Sequence, residues 1–73
     1  MRVSTIQFGK NLKSVLKEKN ISQNMLSEIA GIHYMTINQW ATGKSLPCAE
    51  YLVLVANVLG VTVDELMKDV VKE

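Results

Sequence analysis

The sequence predicts an all-α fold of five short helices, with a helix-turn-helix at its centre over about residues 22–43. Three observations predict it. Apolar residues recur every three or four positions, and no stretch alternates with period two for long. Polar residues suited to capping (Ser4, Ser22 and Thr62) stand just ahead of apolar runs. Asn20, Gly31, Gly43, Pro47 and Gly60 then punctuate those runs at intervals that only short helices fit.

The first helix is expected from about Thr5, with Ser4 and Gln7 as a capping box and Phe8, Leu12, Val15 and Leu16 on one face. Asn20 suits the left-handed residue beyond its end, with Ile21 folding back. Ser22 caps the second helix, which places Leu26, Ile29 and Ala30 inward before Gly31 stops it. The third runs from about Tyr34 to Thr42 on Ile37 and Trp40, with Ile32 buried in the turn ahead of it. Pro47 is excluded from a helix interior, so the fourth starts at about Cys48, on a stripe of Leu52, Val55, Ala56 and Leu59. Thr62 and Glu65 form a second capping box, and Asp64 complements the positive end of the dipole. Val63, Leu66, Met67 and Val70 are the inward face of a fifth helix ending in Lys72 and Glu73.

At 73 residues the chain is expected to form one domain over 1–73, with a core thin enough that a partner subunit would help stability. No apolar run is long enough to span a membrane, and Met1 to Thr5 carry no apolar leader, so a cytoplasmic protein is expected. Cys48 is the only cysteine and cannot form an internal disulfide. No His, Cys and carboxylate cluster has metal-ligand spacing, and nothing orients His33 and Cys48 as base and nucleophile. No metal, cofactor, small-molecule substrate or enzymatic activity is therefore expected.

The net charge of +1 is modest, but it is unevenly spread. Residues 1–47 hold Arg2, Lys10, Lys13, Lys17, Lys19 and Lys44 against Glu18 and Glu28, a balance of +4. Residues 48–73 hold Lys68 and Lys72 against Glu50, Asp64, Glu65, Asp69 and Glu73, a balance of −3. One end of such a domain can face phosphates while the other is repelled by them.

The segment from Ser22 to Trp40 is the most informative. A short helix, a glycine turn and a second short helix can hold one helix across a nucleic-acid backbone while the next enters the major groove. Close packing of the two helices needs a small residue, which Ser27 supplies, and the turn needs Gly31. Leu26, Ile32, Ile37 and Trp40 anchor the second helix from behind. With Ile37 and Trp40 inward, Tyr34, Met35, Asn38 and Gln39 face outward. Any solvated helix carries polar residues on its outer face, so this pattern alone leaves the bland reading open.

The chain resembles the Cro/CI-type, phage-repressor-like helix-turn-helix family over about residues 8–66. The resemblance rests on Phe8-Gly9-Lys10-Asn11-Leu12-Lys13, Ile21-Ser22-Gln23, Leu26-Ser27-Glu28, Gly31-Ile32, Thr36-Ile37, Gly43-Lys44, Pro47, Ala56-Asn57-Val58-Leu59-Gly60-Val61 and Asp64-Glu65-Leu66. It departs from the family at Ala41-Thr42-Gly43, where many members have Glu-Asn-Gly. His33 stands in place of a better Ser or Thr cap, and Cys48 replaces a usual serine.

The resemblance implies a five-helix lambda-repressor-like domain that regulates transcription, as a repressor, by binding a palindromic double-stranded operator as a homodimer. It implies base contacts from Tyr34, Met35, Asn38 and Gln39, since side-chain amides pair bidentately with adenine. Gln23, Asn24, His33, Thr36, Lys44 and Ser45 are the corresponding backbone contacts. Tyr51, Leu54 and Val58 form a second apolar stripe on the fourth helix which, with Val61 and Val63, is the expected dimer interface. The competing reading is a helical protein-interaction module of the same fold, such as an antitoxin-like partner, with weak or no DNA binding.

Overall fold

The computed structural model describes residues 2–72, and five helices carry the fold. They are α1 (Thr5–Lys19), α2 (Gln23–Ala30), α3 (Tyr34–Ala41), α4 (Ala49–Leu59) and α5 (Val63–Leu66). Two short strands, β1 (Arg2–Val3) and β2 (Val71–Lys72), pair antiparallel and bring the two ends of the described chain together.

The helix ends form as the sequence dictates. Ser22 accepts the Met25 amide at 3.0 Å; Thr62 accepts that of Glu65 at 3.1 Å, but the Glu65 side chain does not return to the Thr62 amide, so the box expected there is half made. Asn20 takes the left-handed conformation at φ 58°, and the Ile21 amide folds back onto the Leu16 carbonyl at 2.9 Å. Ser4 accepts the Gln7 amide at 3.1 Å, but the expected box is only half made. The Gln7 side chain turns to Asn11 instead, because the Ser4 amide it would serve already donates to the Val70 carbonyl.

Phe8, Leu12 and Leu16 from α1 meet Leu26, Ile32, Ile37 and Trp40 in one core, closed by Val55, Ala56, Leu59, Leu66 and Val70. Gly9 is buried in the seam between α1 and α3, where backbone meets backbone.

Two expectations are corrected. Ile29 is not inward; it is 60% exposed. At about 100° per residue it falls on the flank of Leu26 away from Ser27 and Ala30, and it is those two that sit against neighbouring structure. The fifth helix does not run on to Lys72 either. It ends at Leu66, turns through residues 67–70 with Asp69 at φ 61°, and leaves Val71 and Lys72 extended beside Val3 and Arg2. A left-handed residue cannot continue a right-handed helix, and pairing with the first strand satisfies backbone groups that helix would otherwise satisfy. The Asn11 side-chain amide secures this ending by donating to the Leu66 and Lys68 carbonyls, both at 2.8 Å. Val70 still reaches the core, by a turn in place of a helix. The expected terminus at Glu73 lies outside the described residues.

Candidate nucleic-acid interface

The turn between α2 and α3 is built from very few groups. Gly31 adopts φ 70°, a conformation that glycine takes without steric cost. Its amide donates to the Ser27 carbonyl at 3.0 Å, and the Ser27 hydroxyl crosses the turn to the Ile32 carbonyl. Ile32 is thereby fixed in the core, which sets the angle at which α3 departs.

His33 begins α3 and caps it: Nδ1 accepts the Met35 amide at 3.1 Å. The ring itself is exposed.

Ile37, Trp40 and Ala41 hold the inner face of α3, and the Tyr51 ring from α4 meets Trp40 with centroids 6.0 Å apart at 55°. The outer face carries Tyr34, Met35 and Gln39, all exposed, while Thr36 and Asn38 are half-buried. Asn38 is not free: its Nδ2 group donates to Oε1 of Gln23, the first residue of α2, at 3.2 Å. Asn24 and Lys44 are exposed, and Ser45 is half-buried.

The loop after α3 is tied back to α1. The Thr5 hydroxyl donates to the Gly43 carbonyl at 2.6 Å, Gly43 takes φ 82°, and the Lys44 amide returns to the Gln39 carbonyl at 2.9 Å. The Thr42 hydroxyl bonds the Asn38 carbonyl at 2.8 Å, so Ala41-Thr42-Gly43 ends the helix by its own means. Lys44 is thereby held at the C-terminal end of α3.

Five residues were expected at a subunit interface. Tyr51 and Leu54 are exposed, whereas Val58, Val61 and Val63 are half-buried against the core. Val53, on another flank of α4, is also exposed and was not anticipated. Sequence reasoning also missed two residues that position the interface, Gly9 and Thr5, and a third, Asn11, that secures the turn after α5. Their partners lie tens of residues away, so only Gly9 left a trace, as an unexplained glycine inside a helical pattern. Among the described residues no group of three or more His, Cys, Asp or Glu could hold a metal ion, and no helix is long and apolar enough to cross a membrane.

Comparison with known proteins agrees with this geometry. A family model described as helix-turn-helix matches residues 12–66. The HTH-type transcriptional activator BcrR of Enterococcus faecalis is 31% identical over 62 residues, 85% of this chain and 30% of that protein. The SPbeta prophage-derived HTH-type transcriptional regulator YonR of Bacillus subtilis (strain 168) is 33% identical over 61 residues, 84% of this chain and 56% of that one. The chain therefore spans less than two thirds of either relative. The restriction-modification controller protein C.AhdI from Aeromonas hydrophila superposes with a TM-score of 0.80 at 21% identity, over 85% of this chain and 94% of that one, which is a likeness of fold. The chain belongs to the Cro/CI-type helix-turn-helix family of transcriptional regulators.

Proposed function

We propose that the chain is a single domain that binds double-stranded DNA sequence-specifically, in the cytoplasm, as a repressor. The observation that carries this reading is the outer face of α3, where Tyr34, Met35 and Gln39 are exposed on a helix braced from behind by Ile37 and Trp40. An α-helix with its side chains is about 10–12 Å across, which fits a major groove about 12 Å wide.

Base readers are drawn from Tyr34, Met35, Asn38 and Gln39, with the Gln39 amide foremost because it is exposed and has both a donor and an acceptor to offer. Gln23, Asn24, His33, Lys44 and Ser45, outside α3, and Thr36 within it meet the sugar-phosphate strands. The start of α2 adds free backbone amides and a favourable dipole for a phosphate. Two copies joined through Tyr51, Leu54 and Val58, with Val61 and Val63 alongside, would set two α3 helices about 34 Å apart on a palindromic operator.

A salt titration of binding to a random duplex and to a selected duplex tests the reading. Affinity should fall linearly in the logarithm of salt concentration for both, with the selected duplex held more tightly throughout. A folded chain that binds neither duplex at low salt would instead support a protein-interaction module.

A further inference from the structure

The helix assigned to the groove carries no charged side chain. From Tyr34 to Ala41, α3 holds no Lys, Arg, Asp or Glu. Guanine is most often read by an arginine or lysine that donates to its O6 and N7, and cytosine by a carboxylate that accepts from its N4 amino group. With neither kind of group on α3, G·C pairs have no strong reader there. What the helix does present is one free amide and one apolar arm. Gln39 is exposed, whereas Asn38 is half-buried with its Nδ2 group donating to Gln23. Met35 is 63% exposed, level with Ile6 as the most exposed large apolar side chain among the described residues. It stands one turn before Gln39, on the same ridge of α3.

An apolar side chain on such a ridge gains from binding only where it meets apolar surface. Among the base edges of the major groove that surface is the C5-methyl group of thymine. An unbranched thioether with three rotatable bonds can follow a methyl group without exact geometry. Four residues of helix advance about 6 Å and base steps are about 3.4 Å apart, so Met35 and Gln39 fall within about two steps of each other. We infer that α3 reads A·T pairs: Met35 packs against a thymine C5-methyl while the Gln39 amide pairs with a nearby adenine. This rests on the DNA-binding reading above and names the base pairs that the helix takes.

Deoxyuridine in place of thymidine keeps the base pair and removes only that methyl, so the first test needs no altered protein. Thymines of an operator selected by the unaltered chain are replaced singly and affinity is measured. At one thymine of each half-site, uracil should lower affinity roughly fourfold, the effect of burying about one CH2 less. Met35→Ala should lose about the same fourfold on the thymine operator and nothing more on the uracil one, since the two changes remove one contact. Met35→Leu keeps an apolar arm and should retain the preference for thymine. An operator with no uracil-sensitive thymine would overturn the inference, as would a full thymine preference surviving in Met35→Ala. G·C pairs at the positions that Gln39→Ala blurs would overturn it as well. If the unaltered chain selects no sequence at all, the DNA-binding reading itself fails, and the inference falls with it.

Discussion

Gly9 of α1 lies so close to Ala41 of α3 that a Cβ on it would stand 2.5 Å from the Ala41 carbonyl oxygen and 2.8 Å from that of Trp40. Both obstacles are backbone atoms at the end of the helix that carries the proposed base readers. The absence of a side chain at this one position therefore sets how α3 rests on the domain. In Gly9→Ala the two helices must separate, at a cost of about 2 kcal/mol. For a domain this size that is a fall in melting temperature of roughly 10 °C, which calorimetry would register. An unchanged Tm would mean the seam is not as tight as described.

His33 supplies the acceptor for the Met35 amide at the start of α3. His33→Ala leaves that amide to water and should cost about 1 kcal/mol by denaturant titration, whereas His33→Ser should recover most of the loss. Equal destabilisation by both substitutions would show that the ring matters for something other than capping.

Lys44 and Gln39 should fail in different ways. Lys44→Ala, at an exposed loop cation, should weaken binding to all duplexes alike and reduce the salt slope by about 1. Gln39→Ala should leave that slope alone and relax base preference at one or two operator positions, each discriminated by about 1–3 kcal/mol. Competition assays against single-base operator variants separate the two. A uniform loss from Gln39→Ala would remove it from the set of base readers.

Leu54 is exposed on α4 and sits at the middle of the proposed pairing stripe. Leu54→Lys should leave the fold intact and yield monomers in sedimentation under conditions where the unaltered chain pairs on DNA. A folded variant that still pairs would place the interface elsewhere on the molecule.

How far these features were legible depends on the distance between partners. The caps at Ser22 and Thr62, the left-handed Asn20 and the glycine stops at 31 and 60 involve groups a few residues apart, and all formed where the sequence put them. The outward ridge of α3 was equally readable, because Ile37 and Trp40 fix the helix phase by themselves. Residues 67–72 were misread as helix for the opposite reason. Their apolar spacing is helical, but Val71 and Lys72 pair with Val3 and Arg2, and nothing local announces that pairing. Ile29 was misplaced because an eight-residue helix offers too few positions to fix its phase to within one flank. The Asn38–Gln23 bond depends on how α2 and α3 cross, which neither helix encodes alone.

The most direct test of the account is a selection of bound sequences from a pool of random duplexes, run in parallel for the unaltered chain and for Gln39→Ala. The account predicts a palindrome with half-sites one DNA turn apart for the former, and the same palindrome blurred at one or two symmetric positions for the latter. A folded chain that enriches no sequence over the starting pool would contradict it.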